Sequence, residues 1–167
     1  MWTDAASTDR GSLRRDGAVA SYRTLFAVLP AAAPEELRGR FDAVAIGPRW
    51  YRAAFRVLLA LGGLRGWIGK EFDPDGAGVN LCRRGRRTVR RSRLQRIGLG
   101  ASSQDGRPAL LLRYRDRSPL RLVHDELRQH PGGLLLGLTY LGLGPLRRVT
   151  LPFAIARGDP PDARPAT

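Results

Sequence analysis

His124, Asp125, Glu126 and Arg128 make the densest knot of ionisable side chains in the second half of the chain. Histidine suits proton exchange near neutral pH, and Glu126, two residues on, falls on the same side if the segment is extended. His124 and Glu126 are therefore the candidate catalytic pair, with His124 orienting a polar group or exchanging a proton and Glu126 assisting. The cluster, Asp125 and Arg128 included, together with Lys70, Glu71 and Asn80 from earlier in the chain, offers polar contacts to a ligand in an otherwise apolar cavity. Trp67, Tyr114, Leu136 and Tyr140 are the expected walls. The chain has no serine elbow, no phosphate loop and no His-Glu-x-x-His arrangement. His124 and His130 are its two histidines, short of a three-ligand catalytic metal set unless carboxylates complete it, so neither metal nor cofactor is expected. Cys82 stands alone, which rules out an intrachain disulfide and a thiolate cluster. In its apolar-polar surroundings it reads as a small core residue.

A second kind of chemistry is carried by charge. Arg83, Arg84, Arg86, Arg87, Arg90, Arg91, Arg93 and Arg96 crowd into one hairpin, of which Arg86, Arg87, Arg90 and Arg91 form the expected surface for an anionic partner. The formal charge of +14 over 167 residues favours nucleic acid, an acidic protein or an anionic membrane surface through long-range attraction. No aromatic residue lies within that hairpin, so the stacking platforms used by RNA-binding sheets and oligonucleotide-binding barrels are missing there, and nucleic acid ranks behind a small ligand. Abundant arginine beside alanine, glycine and proline also reads as a compositional bias. The hydrophobic fraction of 43% is that of an ordinary globular domain.

These residues need a scaffold, and the chain changes character between Gly62 and Gly76. Ahead of it lies a helical pattern: Arg49, Arg52 and Arg56 share one face of a segment from Arg49 to Leu61, while Trp50, Ala54, Val57, Leu58 and Leu61 cover the opposite one. That apolar side is expected to plug or flank a soluble core and to form the mouth for a greasy ligand; a helix of this kind also suits an anionic membrane surface. Leu37, Phe41 and Val44, at i, i+4 and i+7, predict a shorter helix after Pro34. From Gly66 onward short alternating runs are separated by turns such as Asp73-Pro74-Asp75-Gly76, Asp105-Gly106-Arg107-Pro108 and Asp116-Arg117-Ser118-Pro119. The pattern predicts a mainly β protein, an antiparallel β-barrel flanked by N-terminal helices. Leu120 to Gln129 reads as a strand running into a turn of helix near Asp125, and Pro152 predicts an edge or seam position for the last strand. Residues 1–19 form a disordered leader, 20–65 a helical segment packing on the barrel, 66–157 the barrel and 158–167 a disordered tail.

The stretches Gly63 to Phe72, Gly78-Val79-Asn80, Asp105 to Pro108, His124 to Arg128 and Leu136-Gly137-Leu138-Thr139-Tyr140 resemble small, uncharacterised bacterial proteins that look like members of the lipocalin-like, or calycin, group. That resemblance implies a short antiparallel barrel around an apolar cavity with helices near its mouth, and it brings no activity with it. The expected function is binding of a small apolar or amphipathic ligand in the barrel cavity, an anionic one included in view of the arginines. The alternatives are an enzyme acting on an apolar substrate through His124 and Glu126, and nucleic-acid binding through the Arg83 to Arg96 hairpin. With no apolar run long enough for a signal peptide in the first twenty residues, the expected location is cytoplasmic.

Overall fold

The computed structural model describes residues 17–115, 120–142 and 149–158. Expectations for most of the leader, for nearly all of the tail and for the Asp116-Arg117-Ser118-Pro119 turn lie outside the described residues. The described strands are β1 (Gly39–Val44), β2 (Trp67–Phe72), β3 (Ala77–Arg84), β4 (Arg87–Ala101), β5 (Pro108–Tyr114), β6 (Val123–His130), β7 (Leu134–Leu141) and β8 (Thr150–Arg157). Each pairs antiparallel with the next, and β8 returns to β1, so the eight-stranded barrel closes without a free edge. Helix α1 (Val19–Val28) lies on the outside, and α2 (Arg49–Leu61) occupies the connection between β1 and β2.

Two local expectations are corrected. Where Leu37, Phe41 and Val44 predicted a helix, Pro34–Glu36 makes a single 3-10 turn and Gly39–Val44 is the first barrel strand. Gly39 adopts φ +78°, a left-handed conformation that breaks the helical run. Pairing with β2 on one side and β8 on the other then outweighs the helical spacing, so the barrel begins at Gly39, within the segment expected to be helical. The turn of helix expected near Asp125 does not form either. β6 runs unbroken to His130 because it is hydrogen-bonded to β5 on one side and, over its whole length, to β7 on the other. Pro152 sits at the seam: the β1–β8 register ends at Val44 opposite Ala154, so no β1 residue requires the N–H that proline lacks.

Alternation divides the apolar residues into two layers. Phe41, Phe72, Leu94, Leu112, Leu127 and Leu135 fill the barrel interior. Outside, α1 lays Tyr22 and Phe26 over Leu134, Leu136, Leu138 and Tyr140. The sheet from β6 to β8 is therefore buried on both faces. Each fully buried Phe or Leu in these layers stabilises the fold by roughly 1.5–3 kcal/mol.

A candidate ligand site beneath helix α2

Residues three apart on a regular strand point to opposite faces, yet Trp67 and Lys70 both point inward. A bulge makes this possible: the β2–β3 register passes from Trp67 opposite Cys82 to Gly69 opposite Leu81, leaving Ile68 as the extra residue. Gly69 is required next to it, because a Cβ there would lie 2.0 Å from the Phe41 carbonyl oxygen of β1, at φ +149°. A second bulge sits opposite in β4, where Ser92 adopts φ +45° and its carbonyl accepts a hydrogen bond from Asn80 Nδ2 at 3.3 Å.

These distortions gather one polar cluster inside the barrel. Lys70 Nζ donates to Asp125 Oδ2 at 2.9 Å, to Asn80 Oδ1 at 3.0 Å and to the Tyr114 hydroxyl at 3.1 Å. Thr139 Oγ1 donates to the other Asp125 oxygen at 2.6 Å, and Trp67 Nε1 donates to Asn80 Oδ1 at 3.0 Å. The three ammonium hydrogens are thus all used, and Lys70 and Asp125 are each only 2% exposed. The ammonium also lies 5.4 Å from the Tyr114 ring centre and 5.5 Å from that of Phe153. Burial works against the charge on Lys70, but the charge of Asp125 and the hydrogen bonds that Lys70 donates to Asp125 and Tyr114 outweigh it and hold the amine protonated well above the usual lysine range. Burial is likewise the largest influence on Tyr114 and keeps its phenol neutral.

Above this cluster is a cavity of about 160 Å³, lined by Phe55, Leu58 and Leu59 of α2 and by Trp67, Leu141 and Phe153 of the barrel wall, with Lys70, Asn80, Tyr114, Asp125 and Thr139 as its polar side. The Phe153 ring occupies the space over Gly137, where a Cβ would lie 2.3 Å from the ring. Helix α2 closes the end. Tyr51 donates to the Pro152 carbonyl at 2.6 Å, and Tyr51, Phe55, Trp67 and Phe153 form a continuous run of ring contacts with centres 5.8–6.2 Å apart.

The structure brings Trp67, Lys70, Asn80, Tyr114 and Asp125 together at this site and puts the other sequence candidates elsewhere. The alternation that turns Asp125 inward turns His124 and Glu126 outward, so Asp125 takes the place at the polar end of the cavity expected for that pair. Glu126 is buried against the β4–β5 turn, accepting from Ser102 Oγ at 2.5 Å and the Ser103 amide at 2.7 Å. His124 Nε2 lies 3.4 Å from Glu126 and 3.3 Å from Ser103 Oγ, and the imidazole stacks on Tyr140 with ring centres 4.9 Å apart. Serine and carboxylate thus meet the same ring nitrogen, whereas a hydrolytic triad requires them on opposite nitrogens. Leu136 and Tyr140 lie under α1, also outside the barrel.

Arg128 is fully buried on that outer layer. Its guanidinium donates to both Asp105 oxygens at 2.7 and 2.8 Å, to the carbonyls of Phe26, Pro108 and Arg107, and stacks over the Phe26 ring. It fastens α1 and the β4–β5 turn to β6. Arg86, Arg87, Arg90 and Arg91 are exposed along the β3–β4 hairpin, and Arg90 pairs with Glu71 at 2.8 Å. Cys82 is buried, and burial pushes its thiol up, away from the nucleophilic thiolate. Among the described residues, no group of three or more His, Cys, Asp and Glu side chains is placed to hold a metal ion.

A solved structure shares the fold. A protein from Thermomonospora curvata superposes with a TM-score of 0.63, at 18% identity over 86% of this chain and 90% of that one. At that identity the likeness establishes the small barrel architecture and nothing further. No protein-family model matches the chain, and no curated protein matches its sequence.

Thr139 and Phe153 belong to the cavity although the sequence pattern assigned neither to it, and of the four charged residues from His124 to Arg128 expected to face it only Asp125 does. Val123, Asp125 and Leu127 alternate as regularly as His124, Glu126 and Arg128, so a signal existed, and only the parity was open. The outward pair has a measurable consequence of its own. Burial raises the pKa of Glu126, but hydrogen bonds from His124, Ser102 and Ser103 outweigh it and hold the carboxyl below the usual range. A depressed pKa contributes stability above the unfolded value of about 4.3 that is lost as pH falls through the folded one. Protection of the Ser103 amide, its exchange rate taken relative to the intrinsic rate at each pH, is therefore expected to fall on acidification below about pH 4 in the parent. In the Glu126→Gln protein that protection should be weaker and independent of pH; equal pH profiles for the two would remove the role assigned to this carboxylate.

Proposed function

We propose that the protein is a lipocalin-like binder of a small amphipathic molecule, which places its apolar body beneath α2 and a neutral polar atom beside Lys70, Asp125 and Thr139. The observation that carries this reading is a charge-balanced, hydrogen-bonded cluster at one side of an otherwise apolar cavity. Its members hold one another through hydrogen bonds within the protein, so a ligand gains orientation without the cost of ordering side chains. Because Asp125 neutralises Lys70, an anionic head would bring a second negative charge beside the carboxylate, and because the donor hydrogens of the cluster are already used, the site favours a hydroxyl that donates to Asp125 or Thr139 Oγ1 over a carboxylate or phosphate. Size sets the other limit: an apolar cavity of about 150 Å³ accommodates one benzene ring. A single ring or short branched chain fits inside, and anything longer extends through the mouth under α2.

Binding accords better with the site than catalysis does. A protonated Lys70 is no nucleophile, and His124 and Glu126 stand on the other side of the barrel wall from the cavity. Native mass spectrometry of the protein purified from its own host, followed by extraction, tests the proposal. A specific small mass is expected, retained by the parent and held about tenfold more weakly after Thr139→Val, the loss of roughly one hydrogen bond with its buried partner. Trp67→Ala, in a variant shown to be folded, should release it. Absence of any bound mass, together with no Trp67 fluorescence change on adding benzyl alcohol or other single-ring alcohols, would sink the proposal.

A further inference from the structure

Helix α2 carries more apolar surface than the barrel uses. Tyr51, Phe55 and Leu59 face inward, while the apolar stripe expected to plug the core points away from it: Trp50 is 67%, Val57 59%, Leu58 43% and Leu61 80% exposed. Leu122, on the opposite rim of the mouth, is 46% exposed. Arg49 and Arg56 stand exposed on the other flank of the helix, and Arg65 follows it. The Arg83 amide donates to the Gly66 carbonyl at 2.7 Å, which brings Arg84, Arg86 and Arg87 of the β3–β4 turn to the same end. No Asp or Glu occurs among residues 49–66, 83–87 or 120–122. Of the described acids, Asp73, Asp75 and Asp105 lie in turns at the opposite end of the barrel; Asp116 lies outside the described residues.

We infer that this end of the barrel docks on an anionic lipid bilayer. Trp50, Val57, Leu58 and Leu61 enter the interfacial layer, and the surrounding arginines meet headgroup phosphates. At 13 residues, α2 lies in the surface and does not span it; no described helix is long and apolar enough to cross a membrane. Charge argues against a second copy of the chain as the occupant, since a two-fold pairing through this stripe would set one arginine cluster against its duplicate. A nucleic acid would satisfy the arginines but leave Val57, Leu58 and Leu61 without a partner. Docking is independent of whether the cavity is occupied. Where the ligand-binding reading also holds, Leu58 and Gly62, which line the cavity, open its mouth directly to the lipid layer.

Co-sedimentation tests this with vesicles of equal parts phosphatidylcholine and phosphatidylglycerol against vesicles of phosphatidylcholine alone. The parent is expected on the anionic vesicles only. Trp50→Ser/Leu61→Ser, at two exposed positions that leave the fold intact, should bind about tenfold more weakly or worse. Arg49→Gln/Arg56→Gln should keep residual binding with a shallower salt dependence. The idea is overturned if the parent stays in the supernatant with anionic vesicles, or if the stripe variant binds them as well as the parent. It is overturned equally by a parent dimer in solution that the stripe variant converts to monomer, or by RNA binding tighter than vesicle binding and indifferent to that variant. Retention of a cavity ligand is scored separately, so loss of docking and loss of binding are told apart.

Discussion

Asp125→Ala is expected to lower the stability of the protein by about 3–5 kcal/mol, and Lys70→Met by a comparable amount, because each leaves half of a buried ion pair without its partner. Removing Asp125 strands an ammonium that is 2% exposed and takes away the acceptor of Thr139 Oγ1. The informative variant is Lys70→Met/Asp125→Leu. Replacing a buried pair with apolar groups of similar volume is often neutral or stabilising, so the double variant should recover most of what either single change loses. Urea unfolding at constant m-value gives the comparison. Should the double variant be merely the sum of the singles, the two side chains are not coupled, and the cluster cannot act as one preformed element. A recovered but ligand-free double variant would show that the pair serves binding and not stability, in keeping with the way it faces the cavity.

Arg128→Met should produce the second large effect, a loss of about 3 kcal/mol or more together with release of α1. Three backbone carbonyls, those of Phe26, Arg107 and Pro108, lose their donor at once, and Asp105 loses a bidentate partner. Arg128→Lys is expected to rescue little, since an ammonium on a flexible stem cannot reproduce the planar fork that reaches both Asp105 oxygens and the carbonyls. Hydrogen exchange read along Val19–Val28 separates local from global effects. Protection there should collapse while that of β2 and β3 survives, and uniform loss across the barrel would contradict the assignment of Arg128 as a fastener of α1.

The sequence was a better guide to the architecture than to the interior, and the reason lies in how many faces of each strand are covered. Turn chemistry marked the meander from Gly66 onward, and the glycines around Trp67 correctly announced a place of close backbone approach, seen in Gly69 against β1. Alternation assigns inside and outside only where one face is wet. Along β6 to β8 the barrel core takes one face and α1 the other, so Leu134 to Leu138 is apolar throughout and offers no parity. Tyr140 consequently stood in for Thr139, and His124 and Glu126 for Asp125, each displaced by one residue, while Leu136 belongs to the layer under α1. Trp67 and Lys70 were both recognised as candidates, but the bulge at Ile68 that brings them to one face has no sequence mark apart from its glycine neighbours. In α2 the residue spacing separated apolar from basic faces, but the Trp50, Val57, Leu58 and Leu61 side expected to meet the core is largely exposed. Tyr51, Phe55 and Leu59 fill that role because aromatic packing reaches Trp67 and Phe153 only from their side.

Closure of the barrel through β1 and β8 also shapes how the chain reaches its native state. Every other strand pair joins neighbours in sequence, most of them across a short turn, whereas Phe41 must find Arg157 and Val44 must find Ala154 across nearly the whole domain. The loop-closure entropy of that pairing exceeds that of any hairpin, and it is recovered only once β2 to β7 have begun to form a surface against which β1 can pack. Folding should accordingly proceed from the meander to the seam. Until the seam closes, the outer edges of β2 and β8 present unpaired backbone, and the population of such open barrels during synthesis sets the aggregation risk of the chain.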